Sequence, residues 1–216
     1  MTRFNQLALG IALSAFSVAA SAGVASISDR SVFNAQGAIA YNSNFADFGA
    51  GFGFPGNPFT RGDVTYTSAL NMTVGRGTTY SIGNSQTVIS NNSWSPITGT
   101  IAPARAYTLF GFDAAVTSGP VDITITTNKN SYSFSGLTVP NGSPNFAFEG
   151  FEATGTGEYF TAFAIYSLGS GYLPGITNVA VGLVNAVPEP ETYAMLLAGL
   201  GVLGFMARRR KQNAAY

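Results

Sequence analysis

Three carboxylates set close together, Glu149, Glu152 and Glu158, are the residues of this chain whose types and spacing come nearest to a reaction. Two carboxyl groups at a set separation can cleave a glycosidic bond, one as acid and the other as base or nucleophile. The spacing argues against that use. Glu149 and Glu152 stand three apart on an expected strand, which sends them to opposite faces, and surface carboxylates in water are the simpler reading. Asp113 and Asp122 could offer calcium hard oxygen ligands, yet no D-x-D-x-D-G loop accompanies them. The expectation is no catalytic residue, no metal and no cofactor, hence a protein that is not an enzyme; a carboxylate-based glycan hydrolase is the alternative.

The chain has no histidine and no cysteine. That removes the usual general base at neutral pH, Ser-His and Cys-His nucleophilic sites, and zinc sites built on these residues. It also removes any disulfide framework, so the fold must rest on its core. Between Gly23 and Val187 eight acidic residues outnumber five basic ones, a net charge of −3 with no cluster of Lys or Arg to displace counterions from nucleic acid. Gly51-x-Gly53-x-x-Gly56 has dinucleotide-binding spacing but is interrupted by Pro55 and followed by Pro58 rather than by a helix. In the same loop Phe52, Phe54 and Phe59 are read as rings that tuck the loop onto the body, with an exposed rim for sugar stacking as the alternative.

The elements that would position such residues fall into three parts: 1–22, 23–186 and 187–216. Arg3, the apolar stretch Leu7 to Val18 and the A-x-A site at Ala20 and Ala22 are the ordered parts of a secretory signal peptide, so a signal helix, passage through the Sec translocon and a mature start at Gly23 are expected. From Gly23 to Ala186 the pattern is of short alternating runs split by Gly, Asn, Pro and Ser. Val121, Ile123 and Ile125 alternate with Asp122, Thr124 and Thr126, and after a turn at Asn128-Lys129-Asn130, Tyr132 and Phe134 alternate with serines, which is the clearest hairpin. The strand from Tyr159 to Tyr166 is apolar on both faces and is expected to be central and covered on both sides. A short helix near Ser28 to Gln36, with Ser28 as its cap, precedes them. The fold class expected is all-β, an antiparallel β-sandwich of jelly-roll type, with roughly nine to eleven strands.

The last part begins Val187-Pro188-Glu189-Pro190, continues in an apolar run from Tyr193 to Ala207, and ends in Arg208-Arg209-Arg210-Lys211. At about 1.5 Å per residue the run spans roughly 22 Å of a hydrocarbon core about 30 Å thick, so a C-terminal transmembrane helix here would hold only transiently. Arg208, Arg209, Arg210 and Lys211 would be its cytoplasmic flank. Pro188-Glu189-Pro190, Leu196-Leu197-x-Gly199-Leu200 and the basic end together resemble the PEP-CTERM sorting domain of exported proteins in Gram-negative bacteria that make extracellular polysaccharide. The resemblance implies recognition, with cutting near the Pro-Glu-Pro, by an exosortase-type membrane enzyme. Pro188, Glu189 and Pro190 would be the recognition element, which two prolines hold extended and outside the helix. The body resembles cargo domains of that family through Phe110-Gly111-Phe112-Asp113 and Ile176-Thr177-Asn178-Val179. The resemblance thus implies an exported cell-surface or exopolysaccharide-matrix protein, structural or glycan-binding, with polysaccharide as a further candidate partner. A periplasmic domain anchored permanently in the inner membrane is the remaining alternative.

Overall fold

The computed structural model describes residues 23–48, 52–76, 87–90, 95–115, 120–138, 146–167, 175–185, 195–204 and 206. The strands are β1 (Val24–Ile27), β2 (Gly37–Ser43), β3 (Phe59–Arg61), β4 (Val64–Thr67), β5 (Thr73–Arg76), β6 (Thr87–Ser90) and β7 (Ile97–Ile101). They continue as β8 (Leu109–Ala115), β9 (Pro120–Thr127), β10 (Ser131–Thr138), β11 (Ala147–Ala153), β12 (Phe160–Ser167) and β13 (Gly175–Val184), and one helix, α1 (Arg30–Gln36), lies between β1 and β2. Among the described residues these thirteen strands exceed the nine to eleven expected.

Two antiparallel sheets form. One has seven strands in the order β1-β11-β8-β13-β6-β5, with β2 also paired to β13; the other has six in the order β10-β9-β12-β7-β4-β3. The ten residues of β13 serve two neighbours on one side, Ile176 facing Ile89 of β6 and Val179 to Val184 running along β2. From β6 onward the chain passes back and forth: β7, the β9–β10 hairpin and β12 belong to the six-stranded sheet, and β8, β11 and β13 to the other. Alternating strands of this kind bury one set of side chains between the sheets. Val121, Ile123 and Ile125 of β9, Phe163 and Ile165 of β12, and Phe110, Phe112 and Phe151 of the facing sheet make that core. The Phe110 ring stacks on Phe163 at 4.7 Å between centroids.

The seven-stranded sheet is covered on its outer side as well. Gly111 of β8 lies opposite Gly150 of β11, and a Cβ on either would come within 3.0 Å of the Phe148 ring. The hollow left by the two glycines receives Phe33 of α1, fully buried and edge-on to Phe148 at 5.2 Å. Asp29, rather than Ser28, caps α1: its carboxylate accepts the Ser31 hydroxyl and the N–H groups of Val32 at 3.0 Å and Ser31 at 2.7 Å, and these bonds, the hydroxyl's first, hold that carboxyl below its usual pKa.

The six-stranded sheet is different. A bulge between Phe160 and Ala162 turns Phe160 to the core and leaves Ala162 and Ala164 of β12 on the outer face. The expected cover on both sides of this strand is thus corrected: β12 is central, but its outer side carries small residues that need no burial.

Residues 195–204 are helical and exposed, and among the described residues no helix is long and apolar enough to cross a membrane, in keeping with an apolar run too short for a hydrocarbon core about 30 Å thick. The signal helix falls outside the described residues.

Candidate functional site

On the outer face of the six-stranded sheet two rows of short side chains cross five strands. In one, Thr65, Thr100, Ala162, Thr126 and Ser131 are successive partners; in the other, Thr67, Thr98, Ala164, Thr124 and Ser133. The intervening residues Tyr66, Gly99, Phe163 and Ile125 are buried on the core side, so period-two alternation places every hydroxyl outward. Thr67 and Thr98 hydroxyls are 2.7 Å apart, and those of Thr126 and Ser131 are 3.1 Å apart. Neighbouring hydroxyls therefore orient one another while keeping lone pairs for a ligand.

The rows enclose a shallow groove of about 340 Å³, floored by Ala162 and Ala164, walled by threonines and closed at one side by Tyr166. No charged side chain lines it. Tyr166, 38% exposed, is a ring with a polar tip beside an otherwise hydroxyl-bearing surface. Such a surface presents neutral donors and acceptors in the form of hydroxyls.

The acidic residues have other duties. Glu149 lies opposite Phe112 on the core side of β11, half-buried, and burial raises its carboxyl above the usual range. Glu152 lies opposite Leu109, whose side chain packs with Phe33 on the outer side, so the two carboxylates face opposite ways. Glu158 is 1% exposed and accepts Thr127 Oγ1–H at 2.6 Å, Tyr132 O–H at 2.8 Å and the Gly23 N–H at 3.0 Å. Burial pushes its pKa up, but these three hydrogen bonds and the field of Lys129 outweigh it and hold the carboxyl below its usual value.

Asp113 accepts Arg30 Nη2–H at 2.8 Å, and Asp122 accepts the Gly136 N–H at 2.7 Å. Among the described residues no three acidic side chains gather as a metal site would require. In the Gly-rich loop Phe59 is buried in the core, whereas Phe52 and Phe54 are exposed and edge-on to each other at 4.9 Å. Gly53 between them exchanges hydrogen bonds of 2.7 and 2.9 Å with Val74, which covers the open edge of β5.

The tail stands apart from all of this. Met195, Leu196, Leu197, Leu200, Val202, Leu203 and Met206 are each more than half exposed, and nothing lies within 4 Å of where a Cβ would be on Gly199, Gly201 or Gly204. Among the described residues this helix leaves most of its apolar surface exposed. The recognition residues Pro188, Glu189 and Pro190, the flank Arg208, Arg209, Arg210 and Lys211, and the cleavage residues Ala20 and Ala22 lie outside the described residues.

No curated protein matches the chain. Residues 186–211 do match the family model described as the PEP-CTERM protein-sorting motif. The motif implies an exported protein that is sorted through its C-terminal part and processed by an exosortase-type enzyme, and the exposed apolar helix at 195–204 falls within the matched residues. The chain carries a PEP-CTERM protein-sorting motif.

Proposed function

We propose that this is a non-enzymatic protein of the cell surface or exopolysaccharide matrix whose sandwich is a jelly roll that binds neutral glycan in the threonine groove. One observation carries the reading: the outer face of the six-stranded sheet is a groove of about 340 Å³ lined by hydroxyls, alanine and one tyrosine, without charge. Its volume falls within the usual range for small-ligand sites, about 300 to 1,000 Å³. The jelly-roll reading is supported by strand order. Numbering β6 to β13 as eight successive strands, the first, eighth, third and sixth lie side by side in one sheet and the second, seventh, fourth and fifth in the other, the interleaving produced by two Greek keys.

Threonine and serine hydroxyls both donate and accept, as sugar hydroxyls do, so a face with eight hydroxyls in two rows can meet a polysaccharide at several points with no single strong contact. Affinity would then depend on many weak contacts along a chain of sugars. The reading is tested by co-sedimentation of the exported protein with polysaccharide from a producing strain. Thr100→Arg, at an exposed position of the groove wall, should fill the groove and abolish retention without lowering stability. Equal retention of wild type and variant would refute glycan binding at this face.

A further inference from the structure

Gly23 is the residue at which the mature chain would start, and both of its backbone polar groups are held. Its N–H donates to Glu158 Oε2 at 3.0 Å, and its carbonyl accepts the Thr154 N–H at 3.0 Å and the Thr154 hydroxyl at 3.2 Å. Glu158 is 1% exposed, and its other oxygen takes Thr127 and Tyr132. Among the described residues no Lys or Arg forms an ion pair with it. Lys129, whose charge acts on it through space, donates its Nζ–H to the Thr156 carbonyl at 2.6 Å. A buried carboxylate without an ion-pair partner in contact is costly, and here one of its three donors is the nitrogen next to the expected cut.

We propose that Glu158 is the receptor for the α-ammonium group that leader removal creates on Gly23, so that export processing itself completes a buried ion pair and locks β1 onto the sandwich. The proposal rests on the reading of Ala20-Ser21-Ala22 as the cleavage site. A leader peptidase adds water across the Ala22–Gly23 peptide bond: the acyl carbon of Ala22 takes the hydroxyl and leaves as a carboxylate with the leader. The Gly23 nitrogen, freed as an amine, takes a proton at neutral pH. One neutral N–H at 3.0 Å from Glu158 becomes a cation with three donors at the same place, and a charge-assisted bond is roughly twice as strong as a neutral one. Since among the described residues β1 pairs only with β11, and Val24 directly follows Gly23, the pair anchors the end of an edge strand.

The test uses protein exported by a Gram-negative host, in wild type, Glu158→Gln, Glu158→Asp, and a variant with one serine inserted between Ala22 and Gly23. N-terminal sequencing comes first. A start at any residue other than Gly23 in wild type overturns the cleavage reading and the proposal with it, and sequencing alone identifies that failure. With Gly23 first, the native protein is acylated near neutral pH and the N-terminal peptide quantified by mass spectrometry, with an added unstructured reference peptide as internal control.

Only the neutral amine reacts, and each unit by which the pair raises its pKa slows labelling about tenfold. Wild type should label at least about tenfold more slowly than Glu158→Gln. The serine insertion, which leaves Glu158 intact but moves the ammonium away, should lower the thermal midpoint by a few degrees. If Glu158→Gln does not fold, Glu158→Asp and the insertion carry the same comparison. Equal labelling rates together with an unchanged midpoint in the insertion variant would overturn the proposal.

Discussion

Removing the carboxylate of Asp113 should unfasten α1 from the sandwich. Asp113 Oδ1 accepts Arg30 Nη2–H at 2.8 Å and Nε–H at 3.2 Å, Oδ2 accepts the Asn178 amide, and Arg30 Nη2 also reaches the Asn178 carbonyl at 3.0 Å. The guanidinium meanwhile lies 4.3 Å from the centre of the Phe148 ring. The side chains are 27% and 14% exposed, between the surface pairs that contribute about 0–1 kcal/mol and the buried ones whose breaking costs about 3–5 kcal/mol. Asp113→Ala also strands the Asn178 amide, so a loss of about 2–3 kcal/mol is expected, the range of a lost hydrogen bond to a charged group. At about 2–4 °C per kcal/mol for a domain of this size, the thermal midpoint should fall by roughly 4–12 °C.

The assay is urea unfolding of wild type, Asp113→Ala, Arg30→Met and the double variant, followed by far-ultraviolet circular dichroism. Arg30→Met keeps an apolar stem on Phe148, so the cycle isolates the ionic part, for which a coupling of about 1–2 kcal/mol is expected. Hydrogen exchange at Phe33 and Val32 should quicken in each variant, because α1 then opens without the rest. Single effects that add to within about 0.3 kcal/mol, or unchanged exchange in α1, would refute the reasoning.

Gly99→Ala should destabilise the sandwich by about 1–3 kcal/mol, measured as a lowered urea midpoint, because the new Cβ would lie 2.4 Å from two atoms of the Phe163 ring and that ring is already stacked on Phe110. Phe163→Leu in the same chain should recover part of the loss, and no recovery would mean that the overlap is not the cause. Glu149 predicts the opposite direction. Its folded carboxyl is raised by burial, so above the usual carboxylate range its ionisation opposes folding, and that penalty is relieved as pH falls through the folded value towards the unfolded one. Glu149→Gln should therefore raise the thermal midpoint at pH 7, and the gain should close on acidification; a gain that persisted at pH 3 would contradict this origin.

How much of the molecule is legible in its sequence depends on how local the cause is. The β9–β10 hairpin is plain because apolar residues alternate with Thr and Ser on each side of one turn. Strand β7 is not, because its middle residue is a glycine, and only the Phe163 ring lying over it from β12 explains why. The helix is legible but its cap slips by one residue, since Ser28 and Asp29 are both good caps and only the orientation of the chain after β1 decides. The groove is the least legible feature. Its threonines are ordinary solvent-facing residues in each strand, and they become a site only through a register shared by β4, β7, β12, β9 and β10, which no local pattern encodes. The sorting motif is the reverse case, ordered along the chain and so readable from 26 residues without any fold.

The two motifs of the body that stood out in the sequence acquire a common cause in the structure. Phe110-Gly111-Phe112-Asp113 and Ile176-Thr177-Asn178-Val179 lie on neighbouring strands, with Asp113 opposite Thr177 and the register shifting just after it. Phe110 and Phe112 point into the core, Gly111 makes room for Phe33, and Asp113 holds Arg30, so every residue of the first motif either fills the sandwich or docks α1. Asn178 takes a left-handed conformation, φ 49°, which asparagine tolerates better than most residues, and from the resulting bulge its amide reaches Asp113. The last backbone bond of the body, Asn185 N–H to the Gln36 carbonyl at 2.9 Å, ties the end of β13 to the end of the same helix. The motif matched at 186–211 begins at the very next residue. Cutting within it would therefore leave the sheets and α1 intact, while a cut after Ala22 falls where Glu158 waits for the new terminus. The body is closed on itself at both places where export processing would act, which is what a cargo must be if its address is to be removed without loss of its fold.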